Sequence, residues 1–104
     1  MALAIESYRL ARSFPAHEDY GLTSQVRRAA VSVPANIAEG NGRLQARAYV
    51  NHLWIARGSL QELQSDLLLA IKLGYLQPAV AAKAMGLCEE VSRMLTALTR
   101  SIRR

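Results

Sequence analysis

Two long apolar seams decide what this chain can fold into. Tyr49, Leu53, Ala56, Leu60, Leu63, Leu67 and Ala70 recur at alternating steps of four and three, the spacing that lines one face of an α-helix. Val80, Ala84, Leu87, Val91, Met94 and Leu98 repeat the pattern, and Ile102 follows one turn on. Gly74 follows the first seam, where a helix-ending residue of positive φ belongs. Pro78 opens the second at a first-turn position, where its missing N–H costs nothing. Two such helices joined by a short turn make an antiparallel hairpin, and its apolar stripe must be covered by further helices.

Two further segments supply that cover. The first runs from Ala2 to Ser13 and ends at Phe14-Pro15, before a polar, turn-like loop from Ala16 to Gly21. The second runs from Leu22 to Glu39, with Val26, Ala30, Val33 and Ile37 on one face, and Gly40-Asn41-Gly42 stops it. Pro34 interrupts its hydrogen bonding, and Val31-Ser32-Val33 alternates like a strand. The apolar period continues on both sides of Pro34, so a helix kinked there is expected. The expected fold is all-α: an antiparallel up-down four-helix bundle, a single domain over residues 1–104, with a short first helix and long third and fourth helices. The unequal lengths leave apolar surface uncovered on the long helices, and copies of the chain are the simplest cover.

Composition narrows the function classes. Of 104 residues 51% are apolar, and 13 basic residues against 8 acids give a net charge of +5. Such a chain is globular, and its charge attracts polyanions without specifying one. The single cysteine, Cys88, cannot form an internal disulfide, and Glu6 interrupts the first apolar residues before any secretory core forms, so a cytoplasmic location is expected. No uncharged run approaches the twenty or so apolar residues that span a bilayer.

The residues argue against catalysis. No Glu precedes a His by three positions, so the ligand pattern of di-iron bundles is missing. His17 lies in the loop and His52 on the third helix, where it reads as an ordinary bundle histidine without a second ligand at i+3 or i+4. Gly40-Asn41-Gly42-Arg43 is too short for a phosphate loop, and Ser59 has no histidine at a useful spacing. Neither catalytic residues nor cofactor nor metal ligands are assigned.

What remains is binding. On the third helix Arg43, Trp54, Arg57 and Gln61 fall in a narrow arc away from the seam, with Arg47, Lys72, Val50 and Leu68 alongside. Trp54, Val50 and Leu68 are candidates for an interface between copies, where Trp is an enriched anchor. Arg27, Arg28, Arg43, Arg47 and Arg57 are candidate contacts for RNA or DNA. Arg28, Asn36, Glu39, Ser59 and Glu62 are placed in a polar layer that fixes helix register. Arg100, Arg103 and Arg104 suit the negative end of the last helix and could add phosphate contacts. The expected partners are copies of the chain, then RNA or DNA or a further protein, and no membrane.

The run from Tyr20 to Gly40, YGLTSQVRRAAVSVPANIAEG, resembles the signature of the four-helix bundle proteins encoded by intervening sequences in bacterial 23S ribosomal RNA genes. Gly42-Arg43, the stretch from Ile55 to Leu63, Gly74-Tyr75-Leu76 and Met94-Leu95 continue the resemblance. It implies a four-helix bundle that accepts a proline within its second helix, a ring of five subunits, and no catalytic residues. The family is also distantly similar to the accessory protein of diversity-generating retroelements, a basic pentamer that partners a reverse transcriptase and nucleic acid, and that more distant resemblance implies nucleic acid as a candidate partner. Relatives usually have a longer first helix; here the chain begins inside it.

Overall fold

A computed structural model describes residues 1–43 and 45–103; Arg104 and the side chain of Arg103, both in the basic run noted above, lie outside it. Four α-helices follow one another: α1 (Ala2–Ala11), α2 (Leu22–Asn41), α3 (Ala46–Lys72) and α4 (Pro78–Arg103), with a 3-10 turn at Ala16–Glu18 before α2. Each packs antiparallel on its chain neighbour, and α1 meets α4 to close the square. The α2–α3 contact is the most extensive. Side-chain pairs run in opposite senses along it, from Ser32–Ser59 through Asn36–His52 to Asn41–Tyr49. This is the expected up-down bundle.

The α3 seam is as the sequence predicts: Leu53, Ala56, Leu60, Leu63, Leu67 and Ala70 are buried, with Tyr49 packed at the end of the row. The α3–α4 turn is a Schellman cap, in which Tyr75 N–H reaches Ala70 O at 2.9 Å and Gly74 N–H reaches Ile71 O at 3.0 Å. Gly74 takes φ +82°, a left-handed conformation that side chains disfavour. Helix α2 runs unbroken through Pro34, because Val26, Ala29, Ala30 and Val33 bury one face ahead of it and hold the helix in place.

The seam on α4 differs from expectation. Ala81, Ala84, Cys88 and Leu95 are the buried residues, whereas Val80 and Met94 are 48% and 44% exposed. Leu87, Val91, Leu98 and Ile102 flank the core instead of filling it. The helix is turned by roughly 60° from the expected orientation, at 100° per residue. Small residues face the crowded centre, where four helices meet, and the larger ones pack at the sides.

Helix α1 has 10 residues against 27 in α3, about 15 Å against about 40 Å. Glu6 on α1 approaches Lys83 near the start of α4 at 3.9 Å. The second half of α4 therefore runs past α1, and that end of the molecule has three helices. The result is an elongated molecule of 44 × 25 × 18 Å with 6457 Å² of accessible surface, where a compact monomer of this mass exposes about 5,800 Å².

Candidate interaction surfaces

The closest helix approach carries a polar network. Asn36 Nδ2 donates to Ser32 O at 2.9 Å and lies 3.1 Å from Ser32 Oγ. Ser32 Oγ lies 2.7 Å from Ser59 Oγ across the α2–α3 contact. Because a carbonyl only accepts, Asn36 must turn its Oδ1 toward His52, whose Nδ1 sits 3.1 Å away. His52 Nδ1 therefore carries a proton. One turn on, buried Gly40 admits the Tyr49 ring: a Cβ there would lie 2.9 Å from Tyr49 Cδ1 and 3.1 Å from His52 Cβ. Tyr49 Oη then donates to Asn41 Oδ1 at 2.7 Å.

Of the residues placed in a polar layer by sequence, Asn36 and Ser59 join this network through Ser32, and His52 completes it. Glu39 pairs instead with Arg43, one helical turn along. Arg28 and Glu62 line an open groove of about 920 Å³ between α2 and α3, beside Ser32, Gly58, Ser59 and Asp66. Burial first, then repulsion from Glu62, pushes the Asp66 carboxyl above its ordinary range. No basic side chain pairs with Glu62 or Asp66 among the described residues.

The outward side of α3 is apolar and basic at once. Trp54, Ile55, Leu68, Leu69 and Leu73 are each about half exposed. Arg57 stacks over Trp54 at 5.9 Å from the ring and donates to Thr96 Oγ1 on α4 at 2.7 Å. Thr96 in turn donates to Ser92 O at 3.1 Å, so α4 fixes where Arg57 points. Arg47, Val50, Trp54 and Ile102 line a hollow of about 390 Å³ at the start of α3. Val50 and Trp54 thus share one surface, with Leu68 farther along the helix.

The five arginines proposed for nucleic acid do not form one patch. Arg47 and Arg57 lie on α3, and Arg43 is tied to Glu39. Arg27 and Arg28 lie on α2, where Arg27 stacks on Tyr8 of α1 at 5.7 Å. Sequence reading missed Tyr8 and Tyr20, which share a hollow with Arg27 and Arg28.

Two acids it also passed over hold the fold together. Glu6, only 5% exposed, is paired with Arg9 and faces Lys83. Glu18 accepts from Leu22 N–H at 3.1 Å and from Tyr75 Oη at 2.9 Å, which ties the α1–α2 loop to the α3–α4 turn. The Leu22 amide, then the Tyr75 hydroxyl, lowers the Glu18 carboxyl from its usual 4.5, and the Arg9 hydrogen bond does the same for Glu6. A lowered folded-state value means stability present above about pH 4.5 and lost as pH falls through the folded-state value. Glu18→Gln is therefore expected to lose less thermal stability than the native chain between pH 5 and pH 3. Parallel melting curves by circular dichroism check this, and equal losses in both chains would refute it.

Cys88 is fully buried in α4, and burial pushes its thiol up to about 11, which leaves it neutral and unreactive. Among the described residues no three His, Cys, Asp or Glu side chains gather as a metal site, and no helix is long and apolar enough to cross a membrane.

No curated protein matches the chain. Residues 1–97 match the family described as 23S rRNA-intervening sequence protein, in keeping with the Tyr20–Gly40 run and with the four helices seen here. With nearly its whole length matched, the chain belongs to the 23S rRNA-intervening sequence protein family.

Proposed function

We propose that this chain is a non-catalytic cytoplasmic protein that works as an assembly of several copies joined through the outward side of α3. The observation that carries this is the exposure of Trp54, Ile55, Leu68 and Leu69 along α3 and of Leu73 at its C-cap. Large apolar side chains left exposed beside charged ones are what protein contacts bury. Trp54 suits an anchor, because Arg57 and Thr96 hold its surroundings in one arrangement before any partner arrives. A ring needs a patch that meets a different patch on the next copy, and five copies is the number the family resemblance implies. The double variant Trp54→Ala/Leu69→Ala is expected to keep its helical circular-dichroism spectrum and drop to the subunit mass by light scattering. An unchanged mass would remove α3 from the contact.

A second reading, association with nucleic acid, draws on the arginines. Arg27, Arg28 and Arg47 have no carboxylate partner among the described residues, and the whole chain carries +5. Unpaired guanidinium groups on a basic protein are available to phosphate. The third reading, a scaffold for some other protein, uses the α3 surface without the arginines.

A further inference from the structure

We propose that the hollow between α1 and α2 beside Tyr8 and Tyr20 seats a base of single-stranded nucleic acid, with Arg27 and Arg28 holding the adjoining phosphates. The proposal rests on the nucleic-acid reading and gives it a location and a strand type. The hollow has a volume of about 590 Å³ and is lined by Tyr8, Tyr20, Arg27, Arg28, Val31 and Asp19, with two serines. It is open and large enough for one nucleotide.

Its chemistry combines aromatic faces with cations. Tyr20 is wholly exposed, and Tyr8 is 40% exposed. A tyrosine fully in water between two helical turns is held for no packing reason inside the subunit. The backbone beside it is held, because Glu18 accepts a hydrogen bond from the Leu22 N–H just beyond it. The Arg27 guanidinium is already laid over the Tyr8 ring at 5.7 Å, so its direction is set before a ligand arrives. Base stacking on aromatic and guanidinium planes is how proteins grip single strands without reading sequence. A duplex keeps its bases stacked on one another and offers none to this hollow.

Charge decides between this occupant and a second copy of the chain. Two arginines against Asp19 leave the hollow net positive. A polyanion is attracted to it, whereas a second copy would have to bring an acidic patch to match. Asp19 repels phosphate from its own end, so the base lies toward Asp19 and the phosphates toward Arg27 and Arg28.

Fluorescence anisotropy of a short unstructured oligoribonucleotide and its DNA equivalent tests this at about 50 and about 200 mM salt. The native chain, Tyr20→Ala, Tyr20→Phe and Arg27→Glu/Arg28→Glu are compared, with the mass of each measured alongside. Expected are binding by the native chain, affinity about tenfold weaker in Tyr20→Ala, and near-native affinity in Tyr20→Phe. The double arginine variant should lose about 1.4 from the slope of log affinity against log salt. Equal affinity in the native chain and Tyr20→Ala, or no binding at the lower salt, overturns the proposal. So does a Tyr20→Ala chain that falls to the subunit mass, which would make the hollow a seat for a second copy. Self-assembly through α3 is judged separately, by the mass of the native chain.

Discussion

Leu63→Ala is expected to lower the stability of the bundle by about 3 kcal/mol. Leu63 lies midway along α3, fully buried, with Leu60 and Leu67 a turn to either side. Truncation removes three carbons from a packed site whose neighbours sit on rigid helices, so the cavity cannot collapse. Against a total of about 5–15 kcal/mol for a domain of this kind, that loss is large. Urea unfolding followed at 222 nm measures it as a lower midpoint at an unchanged slope. Leu63→Met, which nearly conserves volume, should lose less than about 1.5 kcal/mol. Equal losses in the two variants would mean that packing at Leu63 is not what holds α3 in the core.

Gly40→Ala is expected to destabilise although alanine is the better helix former. Alanine gains about 1 kcal/mol of helix propensity over glycine. At Gly40 the new methyl meets the Tyr49 ring at 2.9 Å and the His52 Cβ at 3.1 Å. The second contact cannot yield by side-chain rotation, because a Cβ moves only with its backbone. Separating α2 from α3 would also stretch the His52–Asn36 hydrogen bond. Overpacking of this sort costs about 1–3 kcal/mol, which outweighs the propensity gain and leaves a net loss of up to about 2 kcal/mol. Gly86 on α4 is the control: no atom lies within 4 Å of a Cβ there, so Gly86→Ala should stabilise by about 1 kcal/mol. Opposite signs in the same unfolding assay are the expected result, and two gains would show that the α2–α3 contact is looser than described.

Much of the fold is legible in the sequence because its strongest signals are local. The four-three spacing on α3, Gly74 after it and Pro78 opening α4 each state their structural role within a few residues. The α4 seam was misread because two stripes compete there, one of large residues through Leu87 and Val91 and one of small residues through Ala84 and Cys88. Periodicity finds the stripe of greater hydrophobicity, whereas the bundle centre has room only for the smaller one. Glu18 and Tyr75 are far apart in sequence, and no local pattern announces that they meet. Glu6 reads as a surface acid until α4 brings Lys83 beside it.

The surfaces were legible in part. Trp54, Val50 and Leu68 stand out by helical phase, because large apolar residues opposite a seam have no place in the core of their own chain. The polar layer was half seen. Asn36 and Ser59 are in it, but Arg28 and Glu62 have long side chains that reach an open groove, and Glu39 finds Arg43 closer at hand. Tyr8 and Tyr20 were missed because one lies on α1 and the other in a loop, and only the packing of α1 on α2 brings them to the same arginines.

The mass of the native chain in solution tests self-assembly most directly. Sedimentation equilibrium over a wide range of protein concentration should give one species at a whole multiple of the 11.4 kDa subunit. A species of 11.4 kDa at every concentration would contradict assembly and leave the exposed apolar side of α3 to a different partner.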